Sequence, residues 1–296
     1  MVQFENKYGF VILHYQAYEM TKECIEKILN NFNSFDIHIT VVDNASPNGS
    51  GKRLYNEYSN NSKINVILSD INLGFAKGNN IGYIYIKENF NPDFIIDINN
   101  DVLIDQNDFL LKISKIYEEK KFAVLGPDIY APKLGIHQSP VSLNRFTINN
   151  AVETKKLLES QLKHYRFVYF KHKFAPLKSL FRKKIKIDKT KSYNSCVLQG
   201  ACYIFSKDFI NKREYAFNPC TFMYYEEYIL NYEVLKLFPE NKNSLYYCPQ
   251  IQIKHMDDVS TNTLFKSTYK KSLWKDKQCY NSLKAFIEQN AGFENE

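Results

Sequence analysis

Between Tyr8 and Pro127, short apolar runs rich in β-formers alternate with stretches of helical periodicity. Residues 8–13, 37–42, 64–68, 93–98 and 122–126 read as strands. Helices are expected over 18–32, up to about Tyr58, from Gly74 to near Glu88, and over 108–120. This alternation predicts an α/β fold with a doubly wound, mostly parallel sheet. The pattern fades and turns Lys-rich from Asp128 to Asn194. It resumes with a strand over 197–205, a helix over 226–237, a strand over 246–253 and a largely helical segment over 263–289.

The balance of the chain narrows its class. With 296 residues, 44% hydrophobic and 24% charged, it is sized for one large α/β domain or two small ones. Six cysteines form no CxxC pair, which argues against a zinc site or a disulfide framework and fits a reducing cytoplasm. The first residues have no signal-peptide layout, and no apolar run nears the roughly 20 residues that span a bilayer. The chain is therefore expected to be soluble or peripheral. Of its +7 net charge, residues 163–191 supply +10, from eleven Lys/Arg against Asp188, so the remainder carries −3. Such a patch suits anionic lipid, nucleic acid or an acidic polymer. It is interleaved with Phe167, Val168, Tyr169, Phe170, Phe174, Leu177, Leu180, Phe181 and Ile185. That pattern reads as a membrane-surface element, or as a solvated basic face.

Several residue groups could carry chemistry. The run Phe94-Ile95-Ile96-Asp97-Ile98 ends in Asn99-Asn100-Asp101, at the carboxyl end of a strand, where open α/β sheets bind ligands. On extended backbone Asn99 and Asp101 point to one side and offer two oxygens to Mg2+ or Mn2+; a plain Asn/Asp turn is the alternative. Asp43 ends strand two, where a carboxylate can bind a base edge or ribose hydroxyls, or simply cap a turn. Gly74 and Gly78 flank Lys77, a phosphate partner or an exposed lysine. They form neither GxGxxG nor a Walker loop. Gln199-Gly200 allows close approach of a ligand. Glu226 and Glu227 open a helix beside Phe222, Met223, Tyr224 and Tyr225; one of them could be a general base whose pKa burial raises, or both could merely suit the helix dipole. His255 closes a strand and could complete the coordination of a divalent ion.

In order and spacing these stretches resemble glycosyltransferase family 2, of GT-A fold. Within it they are most similar to the bacterial cell-surface polysaccharide branch of rhamnosyl- and galactofuranosyltransferases. The resemblance rests on Val41-Val42-Asp43-Asn44-Ala45-Ser46, on Asn72-Leu73-Gly74-Phe75-Ala76-Lys77-Gly78-Asn79-Asn80, and on Asn99-Asn100-Asp101 in the place of DxD. It rests further on Gly200-Ala201, on Tyr225-Glu226-Glu227, and on His255 with Ser260 in the place of HxxGxS. It covers residues 8–130 strongly and 197–262 weakly.

The resemblance implies a GT-A catalytic domain over 1–262, with a nucleotide-sugar part at 8–130, a basic insertion at 139–194, an acceptor part at 195–262 and a helical segment at 263–296. It implies nucleotide-sugar contacts at Asp43, at the backbone near His14 and Tyr15, and at Asn72, Gly74, Lys77, Asn100 and Gly200. Mn2+ or Mg2+ would be held by Asp101, with Asn99 and His255. Glu227 would be the base, with Glu226 as the alternative. The implied activity is inverting transfer from a UDP- or dTDP-linked sugar to a hydroxyl of a glycan or lipid-linked acceptor in capsule, O-antigen or related synthesis. The implied setting is the cytoplasm, with a peripheral place on the inner membrane face through 163–191; no nucleic-acid motif is present. Three departures stand out: Asn99 replaces an acid, Glu227 is one methylene longer than the usual Asp, and Asp258 stands where Gly is common. The rival readings are a degenerate carbohydrate-binding protein and a nucleotidyltransferase. The latter lacks its early Gly-rich loop, since strand one ends in His14-Tyr15-Gln16-Ala17.

Overall fold

A computed structural model describes residues 6–173, 187–256 and 267–291. Residues 174–186 of the basic segment and residues 257–266, with Asp257, Asp258 and Ser260, lie outside the described residues.

The alternating pattern folds as expected. Strands β1 (Lys7–His14), β2 (Asp36–Asp43), β3 (Ile64–Leu68) and β4 (Phe94–Asn99) pair in parallel in the order β3-β2-β1-β4. The helices α1 (Tyr18–Phe32), α2 (Ser50–Tyr58) and α3 (Gly74–Phe90) connect them. After the two-residue β5 (Val102–Leu103) and α4 (Phe109–Lys120), the chain enters β6 (Val124–Ala131) and β7 (Ile136–His137). The strand expected over 122–126 therefore starts later and runs on through Ala131, since 127–131 pairs with the last long strand.

Residues 139–194, which showed no clear pattern in sequence, contain α5 (Ile148–Lys163), α6 (Tyr165–Lys173) and the two-residue β8 (Tyr193–Asn194). Thr147 caps α5 in a reciprocal capping box with Asn150. Then follow β9 (Cys202–Ser206), α7 (Lys207–Lys212), α8 (Glu226–Leu237), β10 (Leu245–His255) and α9 (Thr268–Asn290). The sheet continues β4-β9-β6-β10-β5, with β9 and β5 antiparallel to their neighbours.

Both faces of the sheet are covered. On β4, Phe94, Ile96 and Ile98 pack with α1, α2 and α4, while Ile95 faces α3, α7 and α8. Apart from the buried Asp97, β4 is thus apolar on both faces, as suits a doubly wound sheet. A third cluster joins Leu158 of α5, Ile229 of α8 and Leu283 and Phe286 of α9. The C-terminal helix is thereby fixed over the carboxyl edge of the sheet. Among the described residues no helix is long and apolar enough to cross a membrane.

Candidate active site

A cavity of about 550 Å³ opens where the parallel strands end, as expected for an open α/β sheet. One wall comes from the turn after β4 and the end of β10. Asn99 ends β4, but Asn100 and Asp101 already belong to a tight turn, so Asn99 and Asp101 do not share one extended strand. The turn reverses the chain into β5, whose Val102 pairs with His255. Met256 N–H donates to the Asp101 carbonyl at 2.9 Å. This backbone pairing sets His255 Nε2 3.2 Å from Asp101 Oδ1. His255 Nδ1 lies 2.8 Å from Gln138 Oε1. An amide oxygen only accepts, so Nδ1 carries a hydrogen and Nε2 is the ring atom that faces the Asp101 carboxylate.

This pair fits a divalent ion: an imidazole nitrogen and a carboxylate, with the Asn99 carboxamide on the same cavity wall. Among the described residues no group of three or more His, Cys, Asp or Glu converges as a complete cage. The remaining ligands of such an ion would be oxygens of a bound molecule, as suits a diphosphate.

The opposite wall holds Glu226 and Glu227, at the start of α8. Tyr224 and Tyr225 precede them with φ of 72° and 74°. Two successive left-handed residues with large side chains cost on the order of 1–3 kcal/mol each and persist only where surrounding packing over-determines them. Here Tyr225 packs in the cluster with Phe146 and Tyr228, and Tyr224 stands edge-on to Trp274 of α9, 6.0 Å between ring centres. Ser282 of α9 donates to the Met223 carbonyl at 3.1 Å. Glu226 is buried and accepts from Thr221 Oγ1 at 2.9 Å. Burial, and then the neighbouring Glu227 charge, push its carboxyl up to about 8. Burial raises Glu227 as well, opposed by the Lys275 ammonium. Glu226 therefore holds its proton to higher pH, and Glu227 is the member that ionises first.

The floor comes from the donor half. Leu13 and Tyr15 at the end of β1, Asn44 after β2, and Asn72 and Gly74 before α3 all line it. Asn44 clamps this region: its Oδ1 accepts from Leu73 N–H at 2.7 Å and its Nδ2 donates to the Gly74 carbonyl at 3.0 Å. Gly74 has φ of 77°, and a Cβ there would collide with the Phe222 carbonyl, which accepts from Phe75 N–H at 2.7 Å. The α3 start and the loop before the acid pair are therefore locked together. At Gly200 a Cβ would meet open space, which leaves room in the cavity.

Of the residues singled out from sequence, Tyr15, Asn72, Gly74, Asn99, Asn100, Asp101, Gly200, Glu226, Glu227 and His255 line one cavity. His14, Asp43 and Lys77 are not among the described residues lining it. His14 is fully buried, Asp43 is 6% exposed and lies beneath the turn 44–46, and Lys77 is on the exposed side of α3. Asn44, Gln138 and Trp274 were not singled out for this site. Asn44 stood inside a motif. Gln138 and Trp274 carry no local signal, since their partners are far along the chain.

The family model for glycosyl transferase family 2 matches residues 10–213. No curated protein is significantly similar to the chain in sequence. The fold is similar to GalNAc-T7, crystallised with UDP, GalNAc and Mn2+, with TM-score 0.57, 11% identity and coverage of 86% of this chain and 44% of that one. The chain thus spans less than half of GalNAc-T7. It is also similar to the mannosyltransferase PcManGT from Pyrobaculum calidifontis in complex with GDP-Man and Mn2+, with TM-score 0.54, 9% identity and coverage of 99% and 77%. TarS residues 1–349 of S. aureus, in complex with UDP-GlcNAc, gives TM-score 0.51, 12% identity and coverage of 97% and 73%. At these identities the likeness is one of fold, that of the GT-A glycosyltransferases.

Proposed function

The chain belongs to glycosyl transferase family 2, and on that premise we propose that it is an inverting, metal-dependent transferase. Its donor is a UDP- or dTDP-linked sugar, and its acceptor is a hydroxyl of a glycan or lipid-linked glycan in surface polysaccharide synthesis. One observation carries this reading. A carboxylate–imidazole pair 3.2 Å apart and a glutamate pair, Glu226 buried and Glu227 half-buried, line one cavity at the carboxyl edge of the sheet.

Asp101 and His255 would hold Mn2+ or Mg2+, which neutralises charge on a departing diphosphate. Asn99 stands beside them. Tyr15, Asn72, Gly74 and Asn100 line the region that would receive the nucleotide, and Asp43 shapes it from below. Glu227 takes the proton of the acceptor hydroxyl, whose oxygen attacks the anomeric carbon from the side opposite the diphosphate. One displacement inverts that carbon. Glu226, held by Thr221 and protonated, keeps a second negative charge away from the base. The basic stretch 163–191 suits an anionic membrane near a lipid-linked acceptor. Phe167 on α6 supports this, being 72% exposed among Lys163 and Arg166.

Thermal shift with UDP and dTDP, alone and with sugars attached, tests the reading with and without Mn2+. A Mn2+-dependent shift is expected in the wild type, lost in Asp101→Ala together with transfer, by about 10³-fold or more. An equal shift without the metal, or in Asp101→Ala, would refute it.

A further inference from the structure

Behind the cavity floor, a run of buried polar side chains ties the Asn99–Asp101 turn to the pocket around Asp43. Asn100 Nδ2 donates to Thr21 Oγ1 at 2.9 Å. The same oxygen lies 2.7 Å from His14 Nδ1. On the other edge of the ring, His14 Nε2 lies 2.8 Å from Ser50 Oγ and 3.9 Å from Asp43 Oδ1. Thr21 and His14 are both 0% exposed, so neither can touch a ligand.

Thr21 has one hydroxyl hydrogen, and the Ala17 carbonyl 3.0 Å away takes it. Thr21 Oγ1 is then left to accept twice, from Asn100 and from His14 Nδ1–H. Ser50 Oγ lies 2.8 Å from His14 Nε2 and 2.7 Å from Asn48 Oδ1, so its one hydrogen serves both acceptors, and Ser50 N–H also reaches Asn48 Oδ1 at 3.2 Å. Burial disfavours the charged ring and holds His14 down to about 4.

The run continues around the pocket. Asn48 Nδ2 donates to the Gln16 carbonyl at 2.9 Å, and Gln16 N–H donates to Ser46 Oγ at 2.8 Å. Ser46 N–H points to the Asp43 carboxylate at 3.3 Å. Gln16 and Ala45 stand at φ of 63° and 60°, so two left-handed turns are held by these bonds. Tyr15, which lines the cavity, lies between His14 and Gln16.

We propose that Thr21 and His14 are positioning residues that lock the metal-binding turn to the nucleotide pocket, so that both halves of the donor site keep one geometry. The proposal rests on the reading of Asp101 as a metal ligand. Its consequence is that losing a hydroxyl no ligand touches weakens Mn2+ and UDP binding together.

The test uses calorimetric titration of the full chain with Mn2+ alone and with UDP, alongside kinetics and melting temperature. Thr21→Val removes the hydroxyl at constant shape. It is expected to weaken Mn2+ binding about tenfold, the lower end for outer-shell groups. The donor KM should rise while kcat at saturating Mn2+ and donor stays within about threefold, and Thr21→Ser should restore both affinities. Thr21→Ala removes the same hydroxyl and serves if Thr21→Val does not fold. Asn100→Ala also removes a cavity-lining carboxamide, so it enters only through the double variant, which should be no worse than Asn100→Ala alone because the Thr21 link is already cut. Wild-type Mn2+ and UDP affinity in Thr21→Val or Thr21→Ala would overturn the proposal while leaving the metal assignment standing. Mn2+ binding retained in Asp101→Ala would instead overturn the metal assignment, and this proposal with it.

Discussion

The two walls of the cavity hold their charged groups by opposite means. On the metal side, Asp101 and His255 meet because β5 and β10 pair, and the backbone bond from Met256 to Asp101 closes that register. Little side-chain packing is needed to bring them to 3.2 Å. On the acid side, no sheet register positions Glu226 and Glu227. Two strained tyrosines precede them, and aromatic packing from Phe146, just before α5, and from Trp274 of α9 holds those tyrosines in place. The metal wall is thus built into the sheet, whereas the acid wall depends on tertiary contacts with a helix that follows it in sequence. Perturbing the covering helix should therefore move catalysis without moving the metal.

The sharpest division between the walls is expected from Glu227→Gln. Turnover should fall by about 10²–10⁴-fold, the usual range for a general base. Mn2+ and UDP binding should persist, measured by the same titrations. Glu226→Gln should keep most of the activity, since the amide imitates the protonated acid already present. A reversed ranking would move the base to Glu226. In the wild type, kcat/KM should fall as pH drops through the Glu227 carboxyl. Burial lifts that group, so the fall begins above the ordinary carboxylate range.

On the metal wall the matching change is Gln138→Leu. It removes the acceptor that orients His255, and outer-shell losses of this kind cost about 10–100-fold in metal affinity. The acid pair is untouched, so kcat at saturating Mn2+ should be preserved. A lowered kcat with unchanged Mn2+ affinity would mean that Gln138 serves the acid wall instead.

The same contrast explains what could be read in the sequence. The parallel core was legible because both faces of its strands are apolar: β3 and α1 occur over the residues their periodicity marks. Helix α5 was not, since among its sixteen residues only Ala151 and Leu158 are buried, leaving almost no apolar stripe. The two-residue strands β5, β7 and β8 are too short to show a period. At the site, Asp101, His255 and the glutamates stood out through motif order. Gln138 did not, because its partner His255 is 117 positions away. His14 was noticed at its strand end, but only the fold shows its ring turned inward to Thr21 and Ser50.

A smaller effect is expected from the covering helix. Trp274→Ala removes the edge-on contact with Tyr224, and aromatic pairs contribute about 0.5–1.5 kcal/mol beyond burial. If that contact helps hold the left-handed turn, kcat should drop several-fold while Mn2+ affinity stays at the wild-type value. Equal losses in both would mean that the walls are not independent.

The smallest effect is read in stability. The Glu226 carboxyl stands at about 8 in the folded chain against an ordinary value of 4.5. Between those values the folded state holds a proton that the unfolded chain has released. Stability must then fall as pH rises through this window, and the lost part returns on acidification. Glu226→Gln carries no such proton, so its melting temperature should decline less between pH 5 and pH 8. The decline should not vanish, because Asp97 and Glu227 are also raised by burial and push in the same direction. An identical decline in variant and wild type would mean that Glu226 ionises in the folded chain. Two negative charges would then share the acid wall, and the division of labour between Glu226 and Glu227 would fail.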